Sequence, residues 1–125
     1  MKDLIIVIAV LALVFVPGYY TKKYLEDSGK KIVETLVEIR EDVEQERFDN
    51  SNLVYELKDE WDKEQELWNV FSNHQNTDQI QREIEKLITN YVGKERHEAL
   101  INITEIKSII EDAPKGEGIA LVNIF

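Results

Sequence analysis

At 125 residues, with 25 acidic and 15 basic side chains, the chain carries a formal charge of −10 and has room for one domain with or without an appended segment. So acidic a chain, with no face where Lys and Arg gather apart from Asp and Glu, repels phosphate, which disfavours nucleic-acid binding and adsorption to anionic lipid through a basic patch. The absence of cysteine removes disulfides, thiolate nucleophiles and Cys-ligated zinc, and is compatible with either side of a bacterial membrane.

Leu4 to Val16 is an unbroken apolar run of thirteen residues, LIIVIAVLALVFV. Alone it has the length of a signal-peptide core. Counted through Pro17, Gly18, Tyr19 and Tyr20 it reaches seventeen, the lower limit for a single transmembrane helix. Tyr19, Tyr20 and Tyr24 suit a headgroup layer, and Lys22 and Lys23 can snorkel. Val16-Pro17-Gly18 is a poor cleavage site, so residues 1–23 read as an uncleaved signal-anchor and residues 24–125 as an acidic helical domain. The lysines after the run favour a cytoplasmic domain by count.

From Tyr24 onward apolar residues recur at 3-4 spacing, which predicts helices near 24–47, 51–72, 77–92 and 95–113. The first presents Leu25, Ile32, Leu36, Ile39 and Val43, with Gly29 weakening one seam position. It is placed to continue from the anchor as a stalk, and its repeat also suits a coiled coil between chains, so self-association is an open possibility at this point. Phe48 to Asn52 holds turn and cap residues. The second helix presents Leu53, Leu57, Trp61, Trp68 and Phe71. Ser72 to Thr77 is the next break, where Asn76 and Gln79 resemble a capping box. The third presents Ile80, Ile84, Leu87 and Tyr91 and stops near Gly93. The fourth presents Ala99, Ile103, Ile106, Ile110 and Ala113 and stops at Pro114, and an apolar tail over 119–125 packs back onto the others. The expected fold is all-α: a transmembrane helix followed by an antiparallel bundle of about four helices.

Little in the chain points to chemistry. A di-iron bundle needs Glu-x-x-His pairs, and none is present. His74 and Asp78 would hold one metal between them if their helix began early enough; a loop histidine bonding to backbone is the plainer reading. His97 lies in a charged, solvated stretch. The paired acids have i,i+4 basic partners, Lys115-Gly116-Glu117-Gly118 lacks phosphate-loop spacing, and no nucleophile elbow occurs. Asn102-Ile103-Thr104 matches a glycosylation sequon on the apolar face of its helix. No catalytic, cofactor or metal residue is assigned, and an enzyme is not expected. Trp61 and Trp68, two turns apart, read as core, or as an exposed aromatic platform for a ligand or partner helix.

Trp61, Trp68, His74, Asp78 and Ile80, the stretch from Ala99-Leu100 to Ile110, and the ending Leu121-Val122-Asn123-Ile124 together resemble a bacterial family labelled domain of unknown function 4363. The resemblance covers the chain after about residue 45. It implies an N-terminal hydrophobic segment, a short helical region and a domain facing away from the cytoplasm, and transfers no catalytic role, since the family has no established activity. The expected protein is thus a single-pass protein of the bacterial cell membrane with its domain extracytoplasmic. Its expected function is an interaction module accessory to another membrane or envelope protein, with membrane lipid and that protein as partners. The alternative is a sensor or ligand-binding domain using Trp61, Trp68 and His74, with Asp78 beside them.

Overall fold

The computed structural model describes the backbone of residues 2–124 and the side chains of residues 2–13 and 19–114. Four helices follow one another: α1 (Lys2–Glu44), α2 (Ser51–Phe71), α3 (His74–Val92) and α4 (Arg96–Ile124). Each packs on its chain neighbours, and α4 closes the ring against α1. The pairings run in opposite directions. Thr35 of α1 meets Glu60 of α2 while Ser28 meets Trp68, and on the other side Arg96 of α4 reaches the Glu44 carbonyl while Gly29 lies against Ile110. This is an up-and-down antiparallel bundle, the arrangement that short connections between amphipathic helices favour.

The core is the apolar stripe of each helix. Leu25, Ile32, Leu36, Ile39 and Val43 of α1, Ile80, Ile84, Leu87 and Tyr91 of α3, and Ala99, Ile103, Ile106, Ile110 and Ala113 of α4 are all buried, as their spacing predicts. In α2 the buried set is Val54, Leu57, Trp61 and Trp68, with Leu53 and Phe71 partly covered at the edge. Four polar side chains are buried too, Ser28, Thr35, Thr77 and Asn102, each with a hydrogen-bond partner.

The transmembrane helix expected at the N-terminus is not there: among the described residues no helix is long and apolar enough to cross a membrane. Thirteen apolar residues rise about 20 Å as a helix, and even the stretch to Tyr20 falls short of a hydrocarbon core about 30 Å thick. Tyr24 belongs to the bundle and not to a headgroup layer, since its ring packs on Phe71 at 5.6 Å and its hydroxyl donates to the Glu64 carboxylate. The single-pass localisation, its signal-anchor and its orientation lose their basis together. What remains is geometric: α1 runs unbroken through residue 23, and residues 2–23 form an arm that precedes the bundle. The side chains of the proposed cleavage site, residues 16–18, lie outside the described ones.

Two boundaries also move. Helix α3 begins at His74, because the cap is Asn73, whose Oδ1 accepts the Asn76 N–H at 2.7 Å; Asn76 is inside the helix and does not start a capping box. Helix α4 runs through Pro114, which removes one backbone donor without ending the helix. The apolar tail is therefore helical backbone as far as Ile124, while the packing expected of its side chains, and Phe125 itself, lie outside the described residues.

Helices α1 and α3 end alike. Arg47 N donates to Asp42 O (2.8 Å) and Glu46 N to Val43 O (3.0 Å); Glu95 N donates to Asn90 O (2.8 Å) and Lys94 N to Tyr91 O (3.1 Å). Both are Schellman caps, and the residue in the left-handed conformation is Glu46 (φ 56°) in one and Lys94 (φ 59°) in the other. Gly93, the expected stop signal, is right-handed at φ −77°.

Candidate functional site

The tryptophans are core braces. Trp61 and Trp68 are fully buried, with ring centroids 5.8 Å apart and planes tilted by 57°. Each indole N–H reaches a different neighbour: Trp68 Nε1 donates to Ser28 Oγ on α1 (2.9 Å) and Trp61 Nε1 to Gln81 Oε1 on α3 (2.8 Å). Two large rings on one helix thus tie it to both adjacent helices, with their donors satisfied as buried indoles require. Neither ring is exposed as a platform.

His74 and Asp78 stand one turn apart at the start of α3, so the early helix start aligns them. Both are exposed, as is His97 on α4. Among the described residues no group of three or more His, Asp or Glu side chains is placed to hold a metal ion. Asn102 of the sequon is buried in α4, with its Nδ2 on Glu83 Oε2 (2.8 Å) and its Oδ1 accepting from Asn90 Nδ2 (2.7 Å), so its amide is occupied in linking α3 to α4.

Two carboxylates are drawn in toward α1. Glu60 accepts from the Thr35 hydroxyl at 3.0 and 3.2 Å through its two oxygens. Burial raises its pKa above the ordinary glutamate value, and Glu56 and Glu38 add repulsion, while the Thr35 bond and Lys31 pull the other way. Tyr24, desolvated and donating to Glu64, is pushed up to about 12 and stays protonated across the physiological range. At the opposite end the Tyr91 hydroxyl accepts the Asn50 N–H (3.1 Å) and its ring meets Phe48 at 5.5 Å, which pins the first loop.

Among the described residues an apolar-floored groove of about 360 Å³ lies between α1 and α4. Leu25, Gly29, Lys30, Val33, Ile110 and Glu111 are among the residues that line it. A Cβ on Gly29 would lie 2.8 Å from Ile110 Cγ2 and 3.7 Å from Trp68 Cζ2. Glycine is required there for the close approach of α1 and α4 above the tryptophan layer.

Among the described residues the largest uncovered apolar surface is the arm of α1. Leu4, Ile5, Ile6, Val7, Ile8, Val10, Leu11 and Leu13 are exposed to between 48% and 75%, and consecutive exposed residues mean that the arm is bare on every side. Tyr19 and Tyr20 at its root are also exposed, with their rings edge to face at 5.7 Å, and Lys22 and Lys23 follow on the surface.

The family model of a domain of unknown function, DUF4363, matches residues 19–124. The chain belongs to that family. Comparisons with curated proteins and with solved structures find no match. The match to the DUF4363 domain takes in the whole helical bundle together with the root of the arm, Tyr19 to Lys23, and begins beyond the apolar residues 4–13. Two structural layers in this chain thus coincide with two sequence layers: a family-defining bundle, and ahead of it an apolar arm outside the matched region.

Proposed function

We propose that this DUF4363 protein is a helical interaction module, accessory to a partner protein, in which the bundle is the scaffold and the arm of α1 is the docking element. The observation that carries the reading is the exposure of eight large aliphatic side chains between Leu4 and Leu13 on a helix with no polar residue among them. A helix that is hydrophobic all round belongs in an interior. Covering those side chains is worth on the order of 10 kcal/mol of apolar burial. The bundle supplies what docking needs besides apolar area: a fixed origin for the arm, because the same helix continues into the core with Leu25, Ile32 and Leu36 fully buried.

A photo-crosslinking residue in place of Leu11 tests this in cells, with the same residue in place of exposed Val70 on the bundle as control. The expected outcome is a discrete protein adduct from position 11 and none from position 70. Equal, diffuse labelling from both positions would sink the reading.

A further inference from the structure

We propose that Thr35 and Glu60 form a proton-operated switch in the seam between α1 and α2. With Glu60 ionised, the Thr35 hydroxyl donates across the seam to the carboxylate. When Glu60 takes a proton from water, the acid donates to Thr35 Oγ1 and the hydroxyl turns to the Lys31 carbonyl of its own helix. The inference goes beyond the docking role of the arm and stands independently of it.

The geometry is that of one donor among three acceptors. Thr35 Oγ1 lies 3.0 and 3.2 Å from the two Glu60 carboxylate oxygens and 3.5 Å from the Lys31 carbonyl oxygen. A hydroxyl carries one proton and so serves these groups by turns, but its lone pairs can accept while it donates. A helical threonine ordinarily bonds the carbonyl four residues back. Here that contact is stretched to the outer limit of a hydrogen bond, as it has to be while the proton points across the seam. A protonated Glu60 removes the competition, because it becomes the donor and releases the Thr35 proton for Lys31. Thr35 is buried and Glu60 half-buried, so bulk water does not stand in freely for either partner.

No cation pairs directly with Glu60 to hold it ionised. Among the described residues no ion pair joins α1 to α2. The first helix presents hydroxyls instead, with Tyr24 donating to Glu64 and Ser28 accepting from Trp68. The charges acting on Glu60 are Glu56 on its own helix and Lys31 and Glu38 on α1, two acids against one base. Helix α3 meets the other flank of α2, where Glu85 acts on Lys58 and Gln81 receives the Trp61 indole. Burial, with that acidic surplus behind it, raises the Glu60 pKa above the ordinary glutamate value. The folded state therefore binds this proton more tightly than the unfolded chain does. The contribution to stability is full below the ordinary glutamate pKa of about 4.3 and is lost as pH rises through the folded value. The seam between α1 and α2 is thus tightest in acid and loosens towards neutrality.

Carbon-13 NMR of the full chain reads both ends of the switch in one titration, at the Glu60 side-chain carboxyl and at the Lys31 backbone carbonyl. The expected result is a Glu60 midpoint above the ordinary value, with the Lys31 carbonyl moving downfield on protonation at the same midpoint. Thr35→Val keeps the side-chain shape and removes the hydroxyl, so it should raise the Glu60 midpoint further and leave the Lys31 carbonyl still. Thr35→Ser should restore both. Glu60→Gln holds the seam in its acid arrangement, so there the Lys31 carbonyl should sit at the acid position at every pH. Amide exchange along α2, corrected for its intrinsic pH dependence, should slow in acid more than in Glu60→Gln, by about tenfold for each unit by which the midpoint is raised. A Glu60 midpoint at or below the ordinary value overturns the inference. So does a Lys31 carbonyl that ignores Glu60 protonation in the wild type, or one that still follows it in Thr35→Val.

Discussion

At the scale of single residues, the two left-handed caps are where the sequence is least suited to its own backbone. Glu46 and Lys94 hold φ near +60°, a conformation that costs an L-residue with a Cβ about 1 kcal/mol and glycine almost nothing. Lys94→Gly is therefore expected to stabilise the protein by about 1 kcal/mol, read as a rise in the urea midpoint with an unchanged slope. The expectation fails if the midpoint falls. The glycine that is present stands one position too early, at Gly93, which explains why residue type alone located the end of α3 but not its geometry. Glu60 offers a second test. Its folded pKa is raised, chiefly by burial, so the folded state holds the proton more tightly than the unfolded chain. Its contribution to stability is then most favourable below the unfolded glutamate pKa and is lost as pH rises through the folded value. Glu60→Gln, which keeps an acceptor for Thr35, should raise stability at pH 7 and lose that advantage in acid. A gain that is the same at pH 4 and pH 7 would contradict this origin.

At the scale of helices, packing follows from periodicity, and close approach does not. The apolar stripes of α1, α3 and α4 were legible residue by residue, because a 3.6-residue repeat points one set of side chains at the core whatever the neighbours are. Gly29 was legible only as a weak point in its helix. The contact at 2.8 Å from its virtual Cβ to Ile110 Cγ2 turns that weakness into a requirement. Gly29→Ala gains about 1 kcal/mol of helix propensity but forces apart two helices at a packed site, a loss of about 1–3 kcal/mol. The net expected outcome is destabilisation, and Ile110→Leu, which removes the γ2 methyl, should recover part of it. A double-mutant cycle by thermal unfolding measures the coupling, and strict additivity would refute the clash. The partners of the tryptophans, Ser28 and Gln81, were likewise hidden, because each bond spans 20 residues or more of sequence.

At the scale of the whole molecule, arm and bundle are separate in energy though continuous in backbone. None of the eight exposed aliphatics of the arm belongs to the buried core. Leu11→Glu should accordingly leave the unfolding midpoint of the bundle within the range of an ordinary surface change, about 0.5 kcal/mol. A larger loss would mean that the arm folds back onto the bundle. The sequence by itself determined the helices, their apolar faces and the family to which residues 19–124 belong, since periodicity and composition are local properties of the chain. It also located the apolar run, but not its meaning: length against bilayer thickness, and the capture of Tyr24 by Phe71 and Glu64, removed the membrane span. Only the tertiary structure decided which tryptophan faces are covered, where glycine permits contact, and which apolar surface is left bare. Those are properties of residues distant in sequence, and the chain reveals them only when its helices meet.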